Sequence, residues 1–206
     1  MISGREALRA LREGNERFVS DQRRDYADNT ARRRALVAQQ EPFAIILGCS
    51  DARVPAEMVF DQGLGDLFVI RVAGNIVAPS QVGSVEFAAE AFGTRLVVVL
   101  GHTHCGAIHA TLQQLARPWR EQSRNLSSIV DRIRPAVEGL LDGRVADVTE
   151  LEQRAVRANI RMSADHLRHG SEVLEQLIRK DGLLVLGAEY SVDSGVVEFF
   201  DGVPPD

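Results

Sequence analysis

The sequence predicts an α/β protein, a mainly parallel sheet of four strands with an antiparallel edge strand, flanked by helices. Three observations lead there. Residues 43–47, 67–72, 96–100 and 183–186 are short, continuously apolar runs, as expected of strands buried on both faces. Longer stretches of helical periodicity alternate with them. After the turn-rich stretch 190–195, residues 196–200 form a short last run suited to a sheet edge.

Ser3 and Glu6 form a capping box for a first helix with Ala7, Leu8, Leu11 and Phe18 on one side. Thr30 can cap a second helix through Gln40, ended by Glu41-Pro42. Pro55 suits the first turn of a helix running to Asp61, and Ser80 opens one carrying Val82, Val85, Ala89 and Phe92. A helix follows from Gly106 to Ala116, and Pro118 breaks the pattern. Residues 123–141 and 149–179 read as helices, the second with a capping box at Thr149 and Glu152 and an interruption at Gly170.

The 206 residues suffice for one domain with a full core, and 45% hydrophobic with 26% charged residues is ordinary for a globular chain. A formal net charge of -5 argues against nucleic acid as a partner. The basic cluster Arg23, Arg24, Arg32, Arg33 and Arg34 is broken by Asp25 and Asp28 and reads as a solvated face or a subunit contact. No run approaches the roughly 18 apolar residues of a membrane span, and the N-terminus carries no apolar signal region. The expected location is cytoplasmic. Two thiols there, Cys49 and Cys105, are buried inert groups, a reactive thiol or metal ligands, rather than a disulfide.

Context favours metal. Both cysteines lie just past the C-terminal ends of buried strands, where open α/β sheets bind ligands. His102 and Cys105 are spaced H-x-x-C entering a helix, and Cys49 arrives from a neighbouring strand. That set leaves one position of a tetrahedral zinc ion open, the catalytic rather than the structural arrangement. Asp51 and Arg53 follow Cys49 closely enough to pair. Asp51 could ligate the fourth zinc position, or turn to Arg53 and accept a hydrogen bond from the nucleophile. A loop ion pair worth little is the bland alternative.

At these residues the sequence resembles the β-class carbonic anhydrases. The matching motifs are Cys49-Ser50-Asp51-Ala52-Arg53, Phe68-Val69-Ile70-Arg71-Val72-Ala73-Gly74-Asn75 and Gly101-His102-Thr103-His104-Cys105-Gly106, with weaker echoes at Gly83–Phe87 and Gly187–Tyr190. The likeness spans about Glu6 to Phe200. It implies zinc on Cys49, His102 and Cys105 and a catalytic Asp51–Arg53 dyad; separately, the short tether from Cys49 to Asp51 suggests that Asp51 joins the metal in a closed form only, at lower pH. It also implies residues 1–40 as a helical arm wrapping a partner subunit, ahead of an α/β core at 41–206. The arm's apolar residues need cover, so a homodimer or homotetramer is expected. Gln40, nine positions before Cys49, matches a glutamine that in the plant-like group reaches the neighbouring subunit's active site. A second group of the family binds regulatory bicarbonate between a Trp, an Arg and a Tyr. Arg71 and Tyr190 occupy two of those places, but Ile46 stands in the Trp place and Trp119 lies elsewhere.

The implied reaction is reversible hydration of carbon dioxide to bicarbonate. Phe68, Ala73 and Val72 would line a small apolar pocket, and the Gly106 N–H would donate to developing charge on substrate oxygen. His104 could shuttle protons or simply face solvent. Two alternatives stand beside this reading: hydrolysis of carbonyl sulfide or carbon disulfide at the same site, and a non-catalytic zinc or bicarbonate sensor. Arg53 has no obvious role in the latter's closed site.

Overall fold

The computed structural model describes residues 2–24, 29–116, 123–141 and 147–205. Pro118, Trp119, Asp25 and Asp28 lie outside them. Five strands form one sheet in the order β2-β1-β3-β4-β5. They are β1 (Ala44–Gly48), β2 (Leu67–Arg71), β3 (Leu96–His102), β4 (Leu184–Tyr190) and β5 (Val197–Asp201). The first four run parallel, and β5 is antiparallel to β4. The central strands β1 and β3 are buried along their whole length, which is why they read as unbroken apolar runs.

Helices cover both faces, as a parallel sheet requires. On one face lie α4 (Pro79–Ala91), α5 (Gly106–Ala116), α6 (Arg124–Val137), α7 (Val148–His169) and α8 (Glu172–Asp181). On the other lie α1 (Gly4–Val19) and α3 (Ala56–Val59). The remaining helix, α2 (Asn29–Ala35), is short.

The structure corrects several expected boundaries. Helix α2 ends at Ala35, not Gln40: Leu36 packs on Gly65, but Val37 is 84% exposed, so no packing sustains another turn. Pro55 caps α3 from outside, and that helix stops at Val59. The helix expected to reach Leu141 changes to a 3-10 turn at Glu138. Asp147, not Thr149, caps α7, its side chain accepting from Thr149 N at 2.9 Å. Glu152 instead meets His109 Nδ1 at 2.5 Å. The interruption at Gly170 is present, and Ser171 caps α8 by accepting from Leu174 N.

Strands β3 and β4 run further than their apolar runs, to His102 and Tyr190. The extra length contains Gly101 and Gly187, which let α7 sit directly on the sheet. A Cβ on Gly101 would stand 2.5 Å from Ile160 Cδ1, and one on Gly187 2.8 Å from Ile160 Cγ2.

The first helix has its capping box, with Ser3 and Glu6 bonded reciprocally. Its apolar face needs no partner subunit, however. Ala7, Leu8 and Leu11 are buried against Ile46, Val98, Leu186 and Phe60 of the same chain, with Phe18 packed beside them. Asn15 fastens the helix, donating to Val59 O at 3.1 Å and Gly195 O at 2.8 Å and accepting from Val197 N at 2.8 Å.

Asn15→Leu keeps the volume but strands these three buried backbone groups. Urea unfolding should show a loss of about 2–4 kcal/mol relative to the native chain; a loss under about 0.5 kcal/mol would mean that α1 is not docked this way.

Candidate metal centre

Adjacent parallel strands deliver the site. Gly48, the last residue of β1, pairs with Leu100 of β3, so the loops beyond the two strands lie side by side. Cys49 stands on the first loop, and His102 ends β3. Cys105 directly precedes α5. All three are buried, at 5%, 0% and 3% exposure, and their ligating atoms lie within 4.8 Å of one another. A tetrahedral ion with metal–sulfur and metal–nitrogen bonds of about 2.3 and 2.0–2.1 Å needs ligand atoms roughly 3.5 Å apart. Small side-chain shifts reach that spacing.

The imidazole is oriented for such an ion. His102 Nδ1 lies 2.9 Å from the Thr103 carbonyl, which can only accept, so Nδ1 carries the proton and Nε2 presents its lone pair. Nε2 is buried and has no hydrogen-bond partner among the described residues. A buried imidazole nitrogen aimed between two thiols fits a metal ion.

The thiols divide their charge unequally. The Cys105 thiol, above all, pushes Cys49 down to about 4 against the cost of burial, helped by His102 and the backbone N–H groups of Asp51 and Gly74. Gly74 N lies 3.4 Å from Cys49 Sγ. Cys105 is pushed up by the thiolate beside it and by burial, against the N–H groups of Ile108 and Ala107 at the start of α5. Burial disfavours the charged form of His102, yet the Cys49 thiolate, the Thr103 carbonyl and Asp51 together raise it. The pocket thus holds negative charge that a cation would neutralise.

Asp51 is clamped by Arg53 beside the ligand set. Its Oδ1 accepts from Arg53 N at 3.0 Å and Arg53 Nε at 2.9 Å, and its Oδ2 from Arg53 Nη2 at 2.8 Å. This fork holds the carboxyl well below the usual range, with burial opposing and His102 assisting. Oδ2 remains 3.9 Å from His102 Nε2. Arg53 Nη2 also reaches the His104 carbonyl at 3.1 Å, tying the two ligand loops together.

Other expected residues fall into two groups. Ala73 lies beside Gly74 at the rim, and Gly106 is exposed at the first turn of α5 with nothing crowding it. Phe68, by contrast, sits mid-strand in an aromatic cluster, its ring centroid 6.3 Å from Phe87 and 6.1 Å from Phe92. Gln40 precedes β1, so the whole strand, roughly 16 Å at ~3.3 Å per residue, separates it from its own chain's Cys49. His104 is exposed in a left-handed conformation, φ 57°, with Nε2 3.4 Å from Asp193 Oδ2. Ile46 is fully buried in the core.

Further residues support these, and two of them, Asn159 and Ser163, were not singled out in the sequence. Arg71 donates to the carbonyls of Cys49 at 3.0 Å and Asp51 at 2.6 Å, fixing the loop between them. Asn159 and Ser163 of α7 donate to the Gly74 and Asn75 carbonyls at 2.8 and 3.1 Å. Their signal was available: two polar residues four apart on the stripe that carries Val156 and Ile160.

A carbonic anhydrase family model matches residues 44–197. Carbonic anhydrase 2 of Mycobacterium tuberculosis (strain ATCC 25618 / H37Rv) is 38% identical over 190 residues, covering 92% of this chain and 89% of the relative. A carbonic anhydrase of Mycolicibacterium smegmatis is 35% identical over 192 residues, covering 93% and 91%. Among solved structures, the β-carbonic anhydrase CafA of Aspergillus fumigatus superposes with a TM-score of 0.75 at 24% identity, covering 98% of this chain and 92% of that one. A tetrameric β-carbonic anhydrase of Sordaria macrospora gives 0.72 at 23% identity, covering 84% and 87%. The chain belongs to the β-class carbonic anhydrases, metalloenzymes whose family reaction is the hydration of carbon dioxide.

Elemental analysis of purified variants tests the ligand set. Cys49→Ser and Cys105→Ser should each fall well below one metal per chain, whereas Asp51→Ala should retain it; loss of metal from Asp51→Ala would make Asp51 a required ligand.

Proposed function

We propose that the chain hydrates carbon dioxide to bicarbonate and a proton, reversibly, with Cys49, His102 and Cys105 holding a zinc ion. The observation that carries this reading is the buried Cys–His–Cys cluster with a clamped carboxylate 3.9 Å from the orphaned imidazole nitrogen. Zinc bound there would supply a Lewis acid that brings deprotonation of water toward neutral pH, less strongly with two thiolates than with three imidazoles.

The chain's own residues do the rest. Asp51 accepts a hydrogen bond from the attacking water and aims its lone pair at the carbon of the substrate. Because Arg53 holds the Asp51 carboxyl ionised, it orients the water rather than storing its proton, which passes to buffer. As the carbon–oxygen bond forms, one π pair moves onto a substrate oxygen, and the Gly106 N–H would donate to that charge. Ala73 and Val72 supply apolar wall. The clamp favours this reading over a closed sensor site, because it commits both Asp51 oxygens to Arg53.

A homo-oligomer completes the pocket in this proposal. Gln40 and Phe68 are remote from the cluster of their own chain and would serve the neighbouring one. Strand β2 stands at the sheet edge with Phe87, 55% exposed, beside Phe68, and the Sordaria relative is a tetramer. No helix of the described residues is long and apolar enough to cross a membrane, which suits the proposed cytoplasmic location.

Stopped-flow hydration on zinc-quantified protein from pH 6 to 9 tests the reading. Fast turnover rising with pH is expected, with Asp51→Ala reduced about 10²–10³-fold at unchanged zinc content. One zinc per chain without hydration at any pH would overturn it. Bicarbonate should inhibit without cooperativity, because Ile46 fills the Trp place and Arg71 is committed to the Cys49 and Asp51 carbonyls; a steeply sigmoidal inhibition curve would contradict this.

A further inference from the structure

We infer that Asn75 and Glu189 are positioning residues, joined through a buried water beneath α7 into one polar network that seats residues 73–75 and so holds the Gly74 N–H on Cys49. This rests on the proposed role of Cys49 as a metal ligand.

Among the described residues, three buried polar atoms outside the ligand cluster lack hydrogen-bond partners: Gln114 Oε1 on α5, and two that meet beneath α7, Asn75 Nδ2, in a residue 2% exposed, and Glu189 Oε1, in a residue 8% exposed. Of these two, one is a donor and the other an acceptor. They share a location. Asn75 Oδ1 lies 3.5 Å from where a Cβ on Gly101 would stand, and Gly101 pairs with Glu189 in the β3–β4 ladder. Strands are about 4.8 Å apart, so the amide over Gly101 lies within reach of the neighbouring glutamate. The same helix touches both: Arg157 Nε donates to Glu189 Oε2 at 2.7 Å, while Asn159 and Ser163 donate to the Gly74 and Asn75 carbonyls. Leaving a buried amide and a buried carboxylate oxygen both unpaired is costly, and one water with polar partners on each side removes the cost.

The turn needs such support. Gly74 and Asn75 are both left-handed, at φ 67° and 43°, and the second has a side chain. Asparagine tolerates this conformation better than most residues. A Cβ on Gly74 would meet Ile133 at 2.9 Å and Ala107 at 3.1 Å, so the turn is also wedged against α5 and α6. The Gly74 amide points at Cys49 Sγ only while this turn keeps its shape.

A double-mutant cycle tests the network. Asn75→Gly removes the amide and suits the backbone; Glu189→Gln is isosteric. In metal-free protein, NMR hydrogen exchange of the Gly74 amide should quicken about tenfold in each single variant and no further in the double, with the β3 core amides unchanged. Zinc loss to a chelator should follow the same pattern, about tenfold in each and not hundredfold in the double. Unchanged Gly74 exchange in Glu189→Gln, or single effects that multiply in the double, would overturn the inference. If Asn75→Gly failed to fold, Glu189→Gln alone would decide. The exchange measurement needs no metal, so its outcome is separate from whether the wild-type chain binds zinc.

Discussion

Two sulfurs and an imidazole nitrogen share one buried pocket, their ligating atoms within 4.8 Å of one another. Without a cation, one thiol is driven toward thiolate and the other toward the neutral form, and the imidazole lone pair has nothing to bond. Burying such charge is expensive unless it is compensated. This constraint organises the C-terminal edge of the sheet: the strand ends, the clamps on the loops and the helix packed behind them all keep three donor atoms together.

The clamps are backbone clamps. Arg71 grips the carbonyls on either side of Ser50, and Arg53 bridges Asp51 to the His104 carbonyl on the second ligand loop. Helix α7 grips the 73–75 turn from the opposite side. It can approach so closely because Gly101 and Gly187 clear space for Ile160. Chemistry at the pocket and packing at the sheet centre are thus joined through one helix.

Much of this was legible in the sequence. Unbroken apolar runs identified the strands because β1 and β3 are covered on both faces. Cysteines placed just past those runs marked the site because parallel strands end on the same edge. The C-x-D-x-R spacing announced the fork because residues two apart on a loop can bond back on themselves. What was hidden depends on long-range contact. Glycines at 101 and 187 looked like strand ends yet serve packing. The Asn159 and Ser163 side chains mattered only once a turn more than eighty residues away was folded under them. The apolar face of α1 suggested a partner subunit, but periodicity shows only that a face is covered, not by which chain. The end of α2 failed because nothing packs on Val37.

Zinc K-edge X-ray absorption on the zinc-loaded chain at pH 8 measures the central geometry most directly. A first shell of two sulfurs at about 2.3 Å and light atoms at 2.0–2.1 Å, with one light atom exchanged for bromine on adding bromide, is predicted for a Cys–His–Cys site with an open position beside a clamped Asp51. A shell with fewer than two sulfurs, or one that ignores bromide because four protein ligands close it, would contradict that geometry.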